Sequence, residues 1–219
     1  MTNQTYYDLI VVIVNLGKAS RVLAEAKKIG ITGGTISLAH GTVNSSLLRK
    51  LGLSEIRKEV LLMVSQRKHT FLTINHITDT FHLEEPNRGI IFSTPLSTVV
   101  GTHNQLSDLH DTDPVSDPTH EMFVTIVPEG DGDTVVEVVR QGGGAGGTII
   151  PAYGAFAETV TRVFGIEINS EKDIVINLVD KQMANQIEEE LTRNIHFQDS
   201  DSGIMFSVDA QNVRGIYIK

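Results

Sequence analysis

The sequence predicts an α+β fold in which one βαββαβ unit is used twice in tandem. Three observations carry that prediction. The first is internal repetition. Asp8-Leu-Ile-Val-Val-Ile-Val14 recurs as Glu121-Met-Phe-Val-Thr-Ile-Val127, an offset of 113 (121 − 8). Gly33-Gly34-Thr35-Ile36 meets Gly146-Gly147-Thr148-Ile149, and Gly41 meets Gly154, at that same offset. One residue is then gained, so that Lys58-Glu59-Val60 meets Lys172-Asp173-Ile174, and Gly89-Ile-Ile-Phe-Ser93 meets Gly203-Ile-Met-Phe-Ser207. Two registers held across whole halves identify a repeat architecture. The second observation is that strand-like apolar runs alternate with helix-period segments inside each half. The third is a polar, acidic segment carrying Pro114 and Pro118 between the halves, which has the composition of a linker. The predicted division is 7–103, a linker at 104–119, and 120–219.

Each element follows from its residues. Leu9 to Val14 is a continuous apolar run rich in β-branched residues, as expected of a strand at the centre of a sheet. Ser20 and Asp133 occupy equivalent positions and are predicted helix N-caps. Val22, Leu23, Ala26 and Ile29 follow at helical spacing, and the helices end at Gly30 and at Gly142-Gly143-Gly144. A second strand is predicted over Thr35 to His40 and Thr148 to Tyr153. Connections follow at Gly41–Lys58 and Gly154–Lys172, then a third strand at Val60–Val64 and Ile174–Val179. A second helix is expected over Gln66–Phe81 and Asp180–Ile195, where Met183, Ile187 and Leu191 form an apolar stripe. Gly89–Thr94 and Gly203–Val208 complete each unit. This order is the ferredoxin-like arrangement, with both helices on one face of a four-stranded antiparallel sheet. The apolar residues on the other face predict packing against further copies, hence a homo-oligomer.

Composition narrows the function. Among 219 residues, 40% are hydrophobic and 21% charged, which suits a folded soluble chain. Cysteine is absent, which excludes a disulfide framework and a thiolate site. No apolar run approaches the ~20 residues that span a bilayer, and the polar start carries no secretory signal pattern, so the expected location is cytoplasmic. The net charge of −9, the lack of tryptophan and the absence of a basic run interleaved with aromatics argue against a nucleic-acid partner.

The Gly-Gly-Thr-Ile that opens the second strand, a glycine six residues after its last glycine-threonine step, Phe164-Gly165-Ile166 before the third strand and the final Gly-Ile-(Ile/Met)-Phe-Ser strand resemble the nitrogen-regulatory PII family, here as a tandem member. The resemblance implies a non-catalytic signalling protein that binds an adenine nucleotide (ATP, ADP or AMP) and regulates a target protein in nitrogen or related metabolism. It implies that the connection after the second strand is the effector loop and that Leu83–Gly89 and Phe197–Gly203 lie at the nucleotide phosphates. The expected ligand-binding residues are therefore Gly34, Thr35, His40, Gly41, Thr42, Arg88 and Gly89 in the first half, with Gly147, Thr148, Tyr153, Gly154 and Gly203 in the second. The family's phosphate turn is rich in Gly and Lys. Here Glu84-Glu85-Pro86-Asn87-Arg88-Gly89 offers one cation against two carboxylates, and Gln198-Asp199-Ser200-Asp201-Ser202-Gly203 offers none. Phosphate recognition needs positive charge or free N–H groups, so the first half is the expected binding half.

Several other stretches carry motif-like residues. Gly142-Gly-Gly-Ala-Gly-Gly147 satisfies G-x-G-x-x-G, but it follows a helix and precedes a strand, the reverse of a dinucleotide site. It is read as a tight turn with positive-φ residues. His103, His110 and His120 beside Asp108, Asp111, Asp113 and Asp117 form a metal-like set on a linker that does not organise a site. His82 and His196 recur after the second helix and are read as helix-end residues. Glu188-Glu189-Glu190 reads as a solvated face. The stretch Ser46–Leu53 is apolar enough to dock on a partner or to pack on its own domain. No nucleophile stands beside a base, and an acyl phosphatase needs an arginine directly after the first strand, where Asn15–Lys18 offers only Lys18. The alternative function is a structural or divalent-metal-binding module on the same fold.

Overall fold

The computed structural model describes residues 6–42, 55–97, 99, 117–154, 161–163, 166–168, 170–195, 197 and 203–216. It contains antiparallel sheet and, among the described residues, four helices, the mixed α/β composition expected. The strands are β1 (Tyr7–Asn15), β2 (Thr35–Thr42), β3 (Glu55–Gln66), β4 (Gly89–Leu96), β5 (His120–Pro128), β6 (Thr148–Gly154), β7 (Thr161–Val163), β8 (Ile166–Ile168), β9 (Ser170–Asp180) and β10 (Ile204–Arg214). The helices are α1 (Ala19–Lys27), α2 (Arg67–Phe81), α3 (Gly132–Gln141) and α4 (Ala184–Ile195).

The chain forms two compact units that interleave along the sequence. Unit 1 comprises Met1–Ser37, Lys58–His120 and Asp209–Lys219, and unit 2 comprises Leu38–Arg57 and Glu121–Val208. Strands β2, β3, β5 and β10 are therefore each divided between the units. Hydrogen-bonded order is β2-β3-β1-β4-β10 in unit 1 and β2-β6-β9-β5-β10 in unit 2. In unit 1, β1 pairs antiparallel with β3 (Val12 opposite Leu61) and with β4 (Val12 opposite Ile91). The end of β10 adds to β4, with Gln211 opposite Ser93. In unit 2, the end of β2 adds to β6, with His40 opposite Ile149 and Gly41 opposite Thr148. Each unit's hydrogen-bonded order thus holds five strand segments, not the separate four-stranded sheet expected. The cause is length: β2 runs two residues past His40 and β10 six past Val208, leaving backbone groups that need partners.

Each unit has its own core on the helix side of its sheet. In unit 1 alternate residues Ile10, Val12 and Val14 of β1 pack with Ala19, Val22 and Ala26 of α1 and Ile74 and Ile77 of α2. In unit 2 Phe123 and Val127 of β5 pack with Val135, Val136 and Val139 of α3 and Ile187 and Leu191 of α4. On the helix-free side of unit 1, Val11, Val60 and Phe92 are already buried in the single chain.

Local details depart from the sequence reading in instructive ways. Neither Ser20 nor Asp133 caps a helix. The caps of α1 and α3 are Lys18 and Asp131, with no side-chain cap bond from either. The helix N-terminal N–H groups are served instead by a remote carboxylate: Glu59 Oε2 accepts from Ala19 N at 2.8 Å, and Asp173 Oδ2 accepts from Gly130 N at 2.9 Å and Gly132 N at 3.3 Å. Helix α4 starts at Ala184 rather than Asp180, because Asp180 Oδ1 and its carbonyl hold Gln182 N and Met183 N in a turn. The β7–β8 pair, Thr161 opposite Ile168, stands in a stretch read as a plain connection.

Candidate functional site

In unit 1 the ends of three strands converge at the turn before β4. Lys58, near the start of β3, donates from Nζ to Asn15 Oδ1 at 2.7 Å, and Asn15 Nδ2 donates to the Asn87 carbonyl at 3.2 Å. The two bonds use both ends of the Asn15 amide, so its orientation is fixed by its partners. Asn87 has φ +63°, and Gly89 has φ +149° at the first residue of β4. A Cβ on Gly89 would lie 2.7 Å from the Ile13 carbonyl oxygen and 2.8 Å from Val14 Cγ1, so only glycine allows the approach. Burial pushes the Lys58 amine below its usual range. Arg88 pairs with Glu85 (Nη2 to Oε2, 2.7 Å) and both side chains are more than half exposed. Gly34 and Thr35 lie at the start of β2; a Cβ on Gly34 would sit 2.8 Å from Leu61 Cδ1 and 3.0 Å from the Leu62 carbonyl.

The remaining expected residues lie in unit 2, where the structure brings five of them together. His40 and Gly41 pair with Ile149 and Thr148, and Thr42 N donates to the Gly147 carbonyl at 3.4 Å. Arg140 Nη2 donates to the Thr42 carbonyl at 3.1 Å and to Thr42 Oγ1 at 3.0 Å. Tyr153, 74% exposed, stands opposite Glu171 in the β6–β9 ladder, with Gly154 opposite Ser170. Gly203 (φ +128°) repeats the role of Gly89, since a Cβ there would meet the Ile126 carbonyl.

The corresponding β5–α3 turn of unit 2 is acidic. Glu129 N donates to the Glu171 carbonyl at 3.1 Å. The Glu129 carboxyl is held above its usual range by its hydrogen bond with Glu171, then by that neighbour's charge, by burial and by the charge of Asp173. Among the described residues no group of three His, Asp or Glu side chains is placed to hold a metal ion. His120 Nδ1 lies 2.8 Å from Thr119 Oγ1, while His103 and His110 fall outside the described residues. So do His196, Ser46–Leu53 and the turn 198–202. His82 is the C-cap of α2 with φ 52°, the helix end expected of it. The glycine run lies between α3 and β6, with Gly143 and Gly146 at φ +95° and +133°, which is the tight turn expected. Glu188 and Glu189 are exposed, and Glu190 pairs with Arg193 at 2.8 Å.

Sequence reasoning overlooked Lys58, Asn15, Glu59, Asp173 and Arg140. A signal for three of them was present, because Lys58-Glu59 and Lys172-Asp173 coincide in the repeat. Asn15 and Arg140 have no such signal, since the residues 113 away are Pro128 and Lys27.

No family model matches the chain, and no curated protein matches it. Solved structures do match. A protein of Thiomonas intermedia K12, described as CPII bound to ADP and bicarbonate, is 15% identical over 41% of this chain and 84% of its own, with a TM-score of 0.32. A GlnK–ATP complex of B. subtilis is 20% identical over 42% of this chain and 85% of its own, with a TM-score of 0.29. An unknown protein of Galdieria sulphuraria is 11% identical over 94% of this chain and 99% of its own, with a TM-score of 0.30. Among the described residues no helix is long and apolar enough to cross a membrane.

Proposed function

We propose that the chain is a cytoplasmic, non-enzymatic regulator of the PII type, built as two ferredoxin-like modules joined by the 104–119 linker. In this reading it senses an adenine nucleotide and regulates a target protein of nitrogen or related metabolism through the connections 41–58 and 154–172, as a homo-oligomer. The observation that carries it is the bonded chain Lys58–Asn15–Asn87, which fixes the turn bearing Arg88 and Gly89 at the ends of β1 and β3. The sequence resemblance assigns this turn to the nucleotide phosphates. Lys58 and Arg88 supply cations there, and exchange of the Glu85 carboxylate for a phosphate on Arg88 retains a charge-assisted bond. The proposed ligand residues are Gly34, Thr35, Arg88 and Gly89 in unit 1, and His40, Gly41, Thr42, Gly147, Thr148, Tyr153, Gly154 and Gly203 in unit 2. Ligand state then acts by shifting the populations of loop conformers.

The second reading, a structural module of the same fold without nucleotide binding, is favoured by the acidic turn of Glu129, Glu171 and Asp173 in unit 2. Calorimetric titration with ATP, ADP and AMP, with and without Mg²⁺, separates the two. The expected result is saturable binding weakened at least about tenfold by Arg88→Ala, the loss of one charge-assisted contact. Absence of heat with all three nucleotides discards the sensor reading and leaves the structural one.

A further inference from the structure

Thr42 ends β2, and the connection to β3 begins at the next residue. Three of its groups are held at once: N–H by the Gly147 carbonyl, and C=O and Oγ1 by a single nitrogen of Arg140. Arg140 itself stands in the last turn of α3, and its Nε is buried without a partner. A buried donor left unpartnered is costly, so the side chain is not placed there by the needs of its own helix. A second polar group serves the same turn. Asn177 is fully buried on β9 and donates from Nδ2 to the Gly146 carbonyl at 2.9 Å. It fixes the peptide next to the one that receives Thr42. Both residues are peculiar to this half of the chain. At the matching places in unit 1 stand Lys27, exposed on α1, and Met63, buried in an apolar cluster. The fold therefore forms without this polar pair in one unit and carries it in the other.

We propose that Arg140 is a positioning residue that latches the end of β2 onto the glycine-rich turn before β6, setting the point from which the 41–58 connection leaves. This deepens the regulatory reading, because it rests on that connection being the effector loop. A loop read by a target has to depart from a fixed base if changes in its position are to carry information. The guanidinium supplies that base by closing on the strand end just past His40 and Gly41, which pair with Ile149 and Thr148.

Hydrogen exchange followed by mass spectrometry on the full chain, without nucleotide, tests the latch independently of any binding result. Arg140→Met is expected to raise exchange over 38–42 about tenfold, with β9 unchanged, as the loss of a charged hydrogen bond at a strand end does. Arg140→Lys is expected to recover part of the protection. If Arg140→Met leaves exchange over 38–42 as in the parent, the latch is overturned. If exchange rises throughout unit 2, Thr42→Val decides. This variant removes only the Oγ1 acceptor, so a rise confined to 38–42 upholds the proposal, and a uniform rise or none overturns it.

Discussion

Glu59 and Asp173 hold equivalent stations in the two units: each carboxylate reaches from the third strand of its unit to the N-terminal turn of the first helix. Glu59 receives Ala19 N, and Asp173 receives Gly130 N and Gly132 N. Ala19 and Gly132 are themselves 113 residues apart. The device supplies a negative charge and an acceptor where a helix presents unpaired N–H groups. It also ties helix to sheet, which a local Ser or Asp cap cannot do.

Removing these acceptors is expected to destabilise unequally. Asp173→Ala orphans two N–H groups at a site only 7% exposed and costs about 2–3 kcal/mol. Glu59→Ala orphans one N–H at a half-buried site and costs about 1 kcal/mol. Urea unfolding monitored by circular dichroism measures both. Equal shifts in midpoint would remove the distinction between the two sites.

Gly89 and Gly17 separate conformational strain from steric conflict. Both have positive φ, +149° and +81°, but a Cβ on Gly17 meets nothing within 4 Å. Gly17→Ala is expected to cost about 1 kcal/mol from backbone strain alone. Gly89→Ala also drives a methyl against the Ile13 carbonyl and is expected to cost about 3 kcal/mol. Thermal unfolding of the two variants checks the order, and a Gly17 variant that melts lower than the Gly89 variant refutes it.

The Glu129–Glu171 pair makes stability depend on pH. Because the folded state raises the Glu129 pKa, its protonated form is favoured by folding. The contribution is fully present below the ordinary carboxylate pKa and is lost as pH rises through the raised value. Glu129→Gln keeps the hydrogen-bonding shape and removes the titration. Its stability relative to the parent is therefore expected to improve as pH rises from about 4 to about 7. Paired denaturation curves across that range test the sign; a difference that stays constant with pH excludes the coupling.

Much of this was legible in the sequence, because the signals are local. The continuous apolar run Leu9–Val14, the helical spacing of Val22 and Ala26, and the glycines at 89 and 203 each determine their own neighbourhood. The glycine-rich turn was legible for the same reason, since order along the chain distinguishes helix-to-strand from strand-to-helix. What escaped depends on partners far along the chain. Glu59 and Asp173 read as polar residues in a strand until the helix they cap is in place. The extension of β10 to Arg214 cannot be read from Asp209-Ala-Gln-Asn, which lacks strand periodicity; only β4 as a partner makes it a strand. Arg140 reads as an ordinary last-turn cation, and its reach to Thr42, 98 residues away, comes from topology. Of the site, sequence points to the glycines, while the Lys58–Asn15–Asn87 chain belongs to the folded backbone.

The division of β10 between the units bears on how the chain folds. Unit 1 takes the strand end 209–214 from beyond the long segment that belongs to unit 2, and unit 2 takes 38–42 from between two segments of unit 1. The pairing of Gln211 with Ser93 joins residues 118 apart (211 − 93), so loop-closure entropy is lost before that pairing is gained.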